Sequence, residues 1–423
     1  MLTAFLNKLN LVLSDKGLRG RILFIIGAFA VFRFCAAIPI PGVNTLQLER
    51  FLSNNQFFGL LNILSGGGLS NLSIMMLGVG PFITASIIIQ LMTMISPKLK
   101  QLYHEEGQMG RRKIAQYSRF LTVPLAFFQG IGYLVLLEKQ GILMNLTYFD
   151  KLMNIIVVVA GSVLIMWIGE LITEYGIGNG VSLIIFSGIV SGLPSGLSQL
   201  WLTMDISQVP MLIAFAVLAL AVLAGVVFMT EAERPIPITY AKRVRGMKVY
   251  GGTSTYLPIR VNNAGVMPII FALSIILFPQ MIANFVGAYG GGAKVFADFL
   301  NGFLSNTWLY GACYFFLVFI FTYFYSAITF DPESMATNLQ KNGAFIPGVR
   351  PGKSTEEYVT KILTRLTLVG ALFLGIVALL PIILKGITGI NTLAIGGTSL
   401  LIVVSVAIEL VKQINAQISM REY

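Results

Sequence analysis

The chain has 423 residues, of which 56% are hydrophobic and only 11% charged, yet it carries a net charge of +11. A soluble domain has about 25% charged residues, so this composition argues against an ordinary soluble enzyme or nucleic-acid-binding domain. Mean hydropathy is +0.81. Both cysteines, Cys35 and Cys313, sit inside apolar runs, which fits small hydrophobes and not a disulfide framework or metal site.

The N-terminal arm, 1–21, has an amphipathic look, with Phe5, Leu6, Leu9, Leu11, Val12 and Leu13 among Lys8, Asp15 and Lys16. It leads into a full-length apolar run with no small-residue cleavage site, so no cleaved signal is expected. Spans are expected near 22–41, 72–95, 114–137, 152–172, 180–198, 209–230, 264–286, 307–328, 367–384 and 393–412. The apolar runs are close to the ~20 residues that a helix needs to cross ~30 Å of hydrocarbon. They are continuous rather than alternating, which favours helices over barrel strands. The expected architecture is therefore an all-α polytopic membrane protein with ten transmembrane helices.

Between spans one and two, residues 57–72 (FFGLLNILSGGGLSNL) are apolar but short and broken by glycine. Such a segment is either a re-entrant helix buried in protein or an interfacial turn. The basic residues order the rest. Lys8, Lys16, Arg19 and Arg21 lie in the arm. Lys98, Lys100, Arg111, Arg112 and Lys113 follow span two, and Arg234, Lys242, Arg243, Arg245, Lys248 and Arg260 follow span six. Lys341, Arg350, Lys353, Lys361 and Arg365 follow span eight, and Lys412 and Arg421 close the chain. The opposite loops hold only Arg50, Lys139, Lys151, Lys294 and Lys385. The positive-inside rule then places both termini in the cytoplasm.

Two cytoplasmic loops, 231–263 and 329–366, are much longer than the usual 2–8-residue helix connection. Their Pro, Gly, aromatic and β-branched content, as in Tyr250–Ile259, predicts ordered, projecting loops with some strand or hairpin character. Both are basic, which suits docking of a partner. Catalytic motifs fail on inspection. Gly348–Ser354 (GVRPGKS) has three residues between its glycines where a phosphate loop has four, and Pro351 removes a backbone donor. His104 is the only histidine, and it lacks partners for a metal site or a triad. Glu105/Glu106 and Glu231/Glu233 read as solvated loop charges. No cofactor is expected.

Ionisable residues within spans default to function. They are few: Arg33 and Arg119 inside spans, and Glu170 and Glu409 near span ends. No acidic pair lies at mid-bilayer, which weakens the alternative of an ion-coupled transporter with inverted repeats. Gln90, Gln129 and Asn262 are neutral amides in or at the ends of spans two, three and seven. Hydrogen bonds between such helices are worth about 0.6 kcal/mol each, weak enough to be made and broken as helices move.

Several segments carry a more specific signal. Ser73–Met92 (SIMMLGVGPFITASIIIQLM) and Trp167–Ile185 (WIGELITEYGIGNGVSLII) are similar to the signature segments of the SecY family. That family is the channel subunit of the bacterial protein translocase. Tyr240–Arg243 (YAKR), Ser274–Pro279 (SIILFP), Gly343–Gly352 (GAFIPGVRPG), Thr364–Ala371 (TRLTLVGA) and Gly396–Ile402 (GGTSLLI) resemble further family segments, in order along nearly the whole chain.

The resemblance implies two pseudo-symmetric five-helix halves, 22–198 and 199–412, followed by a cytoplasmic tail, 413–423. It implies a lateral gate between spans two and seven, lined by Gln90, Gln129 and Asn262. It implies a pore ring of Val79, Ile83, Ile185, Ile189, Ile270 and Ile402, with Val79 standing where isoleucine is common. It also makes 57–72 a short re-entrant plug helix, with Leu60, Leu61, Ile63 and Leu64 as its body and Gly66, Gly67 and Gly68 as its joint.

Implied partners are the small subunits SecE and SecG, the motor ATPase SecA, the ribosome, signal peptides with unfolded preproteins, and the bilayer of the bacterial inner membrane. Lys242, Arg243, Arg245, Lys248 and above all Arg350 would form the docking surface for motor and ribosome. The implied role is a passive pore for unfolded polypeptide, with no catalysis of its own.

Overall fold

The computed structural model describes residues 15–43, 48, 62, 65–69, 71–104, 106–143, 147–203, 209–241, 243–245, 248–250, 254–287, 295, 299, 302, 306–388 and 391–419. Its helices in chain order are α1 (Lys16–Ala36), α2 (Gly80–Ile95), α3 (Pro97–His104), α4 (Gly107–Lys139), α5 (Tyr148–Tyr175), α6 (Gly180–Thr203) and α7 (Val209–Glu231). A β-segment follows, with β1 (Glu233–Tyr240), β2 (Arg243–Arg245), β3 (Lys248–Tyr250) and β4 (Ser254–Arg260). Then come α8 (Met267–Gly287), α9 (Thr307–Thr329), α10 (Pro332–Lys341), β5 (Ala344–Phe345), α11 (Lys353–Thr388) and α12 (Asn391–Ser419).

The expected spans coincide one to one with α1, α2, α4, α5, α6, α7, α8, α9, α11 and α12. Among the described residues, five stretches are long and apolar enough on their own to cross a membrane: Gly107–Glu138, Tyr148–Tyr175, Trp308–Lys341, Lys353–Leu380 and Ile402–Ser419. The pair α2–α3, bent by 108° at Ser96, is a sixth candidate. Outward faces remain apolar. On α7, Ile213, Val217, Leu220 and Phe228 are all exposed, at the spacing of one helical face. A bilayer covers such a face at no cost.

The two span boundaries that differ most from expectation do so for local reasons. Span two was expected from residue 72, but the helix starts at Gly80. Gly78 has φ of 56°, which ends any helix there, and Pro81 in the first turn lacks the N–H that a longer helix would need. Span nine was expected from 367, but α11 begins at Lys353. Its first turns are polar, so hydropathy does not register them.

In the N-terminal half, α5 packs on α1, α4 and α6, and α2 packs on α4. In the C-terminal half, α9 bridges α8 and α11, and α12 packs on α7 and α11. The halves meet at two seams: α8 lies against α2 and α4, and α12 lies against α6. The main buried cluster runs through both seams, from Leu18 and Phe32 to Ile402 and Val406.

The two long loops fold into one module. β1 pairs antiparallel with β4, with Ile236 opposite Leu257, and its other edge pairs with β5. The sheet order β4-β1-β5 thus recruits a strand from the second loop into the first. Ile236, Ile259, Ile346, Val359, Ile362 and Leu363 form its separate small core, closing the sheet onto α11.

Candidate pore, plug and gate

The six ring positions come from four helices and both halves. Val79 caps α2, Ile83 lies in its first turn, Ile185 and Ile189 lie on α6, Ile270 on α8 and Ile402 on α12. All six are buried, from 0% exposed for Val79, Ile185 and Ile402 to 7% for Ile189, and all belong to one apolar cluster. The pairs Ile185/Ile189 and Val79/Ile83 are spaced i, i+4, so each pair shares a helix face. Burial alone does not separate them from their neighbours Ile184 and Ile269. The resemblance alone sets them apart.

The plug body, Leu60, Leu61, Ile63 and Leu64, lies outside the described residues. The glycine turn is described, and it is firmly docked. Gly66 and Gly67 have φ of 66° and 88°, which a side chain rarely adopts. A Cβ on Gly188 of α6 would lie 2.1 Å from Gly66 Cα, and one on Gly66 would lie 2.5 Å from Phe32 Cζ. The glycines therefore serve close approach to α6 and α1 as well as turning the chain.

Hydrogen bonds pin the exit from the turn. Ser73 N and Oγ each donate to Gly68 O at 2.9 Å, and Met75 N donates to Ser73 Oγ at 3.2 Å. Ile40 N donates to Leu72 O at 2.9 Å, and Ile74 N to Ile38 O at 3.0 Å. Leu72, fully buried, sits at φ 41°. A left-handed leucine costs roughly 1–2 kcal/mol, which this network and its burial offset.

At the gate, Gln90 on α2, Gln129 on α4 and Asn262 just before α8 lie on elements that border one seam. Gln129 and Asn262 are buried. Hydrogen bonding between these amides was the expectation. The structure corrects it for two groups, because Gln90 Oε1 and Asn262 Oδ1 are buried without a partner. An orphaned buried acceptor costs about 1–3 kcal/mol, so this seam is under polar stress.

Of the docking residues, Lys242 lies outside the described residues. Arg243 and Arg245 lie on β2 and Lys248 on β3, but their side chains are likewise outside the description. Arg350 is exposed in the turn after β5, and its carbonyl accepts from Thr355 Oγ1 at 2.9 Å. That bond ties the turn to the start of α11.

Two intramembrane contacts escaped residue-by-residue reading. Arg119 on α4 pairs with Glu170 on α5 at 2.5 Å, neutralising both charges. Arg33 on α1 donates from Nη2 to Ser187 O at 2.7 Å and to Ser191 Oγ. Both pairings join positions far apart in sequence, so spacing gives no hint of them. The only signal was a charge inside an apolar span. Among the described residues no group of His, Cys, Asp and Glu has the geometry to hold a metal.

The two halves of this helical membrane protein share one buried apolar cluster, with a glycine turn docked on α6, an arrangement that suits a channel. The family model for SecY matches residues 73–411, and the chain belongs to the SecY family, the channel subunit of the protein translocase. It is 41% identical over 417 residues to the protein translocase subunit SecY of Synechocystis sp., covering 96% of this chain and 93% of that one.

Solved structures give the fold. One concerns the SecY plug domain, which stabilises the closed state of that channel and maintains a membrane seal. It aligns with a TM-score of 0.66 at 20% identity, over 94% of this chain and 92% of that one. Canine Sec61 in a ribosome–channel complex aligns with a TM-score of 0.61 at 16% identity, over 95% and 93%. These neighbours share this chain's fold over nearly its whole length.

Proposed function

We propose that this chain is a passive, gated pore that moves unfolded preproteins across the bacterial inner membrane and releases transmembrane segments sideways into lipid. The observation that supports this reading is that Val79, Ile83, Ile185, Ile189, Ile270 and Ile402, from both halves, are all buried in one apolar cluster; the reading takes them as the constriction. An apolar ring offers no substitute for an ion's hydration shell and blocks by dewetting. Its side chains yield to a passing peptide without gripping it. The work comes from outside the chain: SecA or the ribosome docks on the basic cytoplasmic module, and SecE and SecG complete the complex. Both termini face the cytoplasm, as the Lys/Arg distribution favours.

Reconstituted vesicles test this. The channel reading expects preprotein import only with the motor ATPase and ATP, and no solute uptake driven by an ion gradient. Gradient-driven uptake by the purified complex would overturn it in favour of a transporter.

The seam between α2 and α8 is the lateral gate in this reading, and its unpaired amides bias it toward opening. Asn262→Leu removes an orphaned acceptor and keeps the volume apolar, which stabilises the closed seam by about 1–2 kcal/mol. Export should slow by up to about thirtyfold, most for weakly hydrophobic signal sequences. Export rates equal to wild type across a signal series would remove Asn262 from the gate.

A further inference from the structure

Two turns of α6 present three faces to three neighbours. Ile185 and Ile189 lie in the ring. Gly188 meets the glycine turn, with Ile184 O 3.6 Å from where a Gly66 Cβ would stand. Ser187 and Ser191 lie on the side away from Ile189, because a two-residue step on a helix turns through about 200°. That third side is held by Arg33, through Ser187 O and Ser191 Oγ.

The same guanidinium reaches the glycine turn. Arg33 Nη1 lies 3.3 Å from where a Cβ on Gly67 would be. The preceding residue, Phe32, is fully buried and lies against Gly66. Consecutive residues of α1 therefore hold both α6 and the turn docked on it. Ser191 Oγ donates its own hydrogen to Gly188 O at 2.8 Å, leaving its lone pairs for Arg33. A charge inside a span is expensive and marks function by default, and neither the ring nor the gate uses this one.

We propose that Arg33 is the positioning residue that latches the plug. It fixes the rotation of α6 so that Gly188 faces the turn while Ile185 and Ile189 face the pore. This rests on reading 57–72 as a plug. A peptide entering the pore and rotating α6 breaks the Ser187 and Ser191 bonds, and the glycine turn loses its seat in the same movement. Gating of the ring and release of the plug are thereby one event.

The test uses the complex purified from native membranes, with two readouts. One is resting ion conductance in planar bilayers. The other is labelling of a Ser65→Cys thiol by a membrane-impermeant maleimide in intact vesicles, measured in a Cys35→Ser, Cys313→Ser background. Arg33→Leu is expected to raise both readouts at least several-fold without loss of assembled complex. Ser191→Ala, which keeps the charge and removes one acceptor, is expected to raise both by a smaller factor.

Wild-type conductance and labelling in assembled Arg33→Leu overturn the latch. If that variant does not assemble, wild-type values in Ser191→Ala overturn it. Deletion of residues 62–69 separates the two readings. If the deletion raises conductance and Arg33→Leu does not, only the latch fails. If the deletion leaves conductance at the wild-type value, the plug reading fails and takes the latch with it.

Discussion

Ile402→Asn should give the largest gain of function. Ile402 is fully buried on α12, in the cluster that spans the seam with α6. Asparagine is close in size but brings an amide with two donors and an acceptor. In an apolar ring those groups find no partner, at a cost of about 1–3 kcal/mol. The cost falls on the closed state alone, since water or a translocating backbone satisfies the amide in the open state. A shift of that size changes the closed-to-open ratio by about five- to 150-fold. The expected phenotype is export of preproteins with defective signal sequences, together with a resting ion leak. Both are measurable, by secretion of a reporter with a damaged signal and by bilayer conductance. Wild-type signal stringency with no leak would remove Ile402 from the ring.

Arg350→Glu should give the largest loss. Arg350 is exposed at the turn between β5 and α11, and the turn is held by its own carbonyl through Thr355 Oγ1. Glutamate keeps that backbone bond, so expression and thermal stability should stay near wild type. The planar guanidinium suits bidentate capture of carboxylate or phosphate, which no acidic side chain reproduces. Leaving a partner's charge unpaired at an interface costs about 2–5 kcal/mol. ATP-dependent import into vesicles should fall at least tenfold, and binding of the motor or of ribosomes should weaken alongside. Normal import by stably folded Arg350→Glu would take Arg350 out of the docking surface.

Hydropathy made the ten helices legible because lipid forces each span to be apolar over its full width. Where that pressure stops, legibility stops too. The first turns of α11 are polar and helical, and nothing in a hydropathy count distinguishes them from loop. The late start of α2 went unread: the span was expected from residue 72, and the signals against that, Gly78 and Pro81, were not used. The strand character of 250–259 was readable from its β-branched and aromatic residues. That β5 would cross from the other loop to complete the sheet was not, because a two-residue strand carries no pattern.

The site divides the same way. Identity of the ring residues came from resemblance, as buried isoleucines are the commonest sight in any core. The glycines of 66–68 suggested a joint, whereas their φ values and the contact with Gly188 make them a seat as well. Arg119 and Glu170 were each noticed alone. Their pairing needed the packing of α4 on α5, a tertiary fact that no local spacing encodes.

The shared sheet has a mechanical consequence. β1 continues directly from α7 and β4 leads directly to Asn262, and Val261 N donates to Ala232 O at 2.9 Å across the base of the hairpin. At that same base, a Cβ on Gly370 of α11 would stand 2.8 Å from Val261 O. The module is therefore a stiff crank whose handle is the Arg350 turn and whose axle lies at Val261. Among the described residues, the path from handle to axle runs through the paired strands β5, β1 and β4. In the proposed channel, a load on the handle reaches Asn262, one residue beyond the axle, so docking and the α2–α8 seam are parts of one linkage.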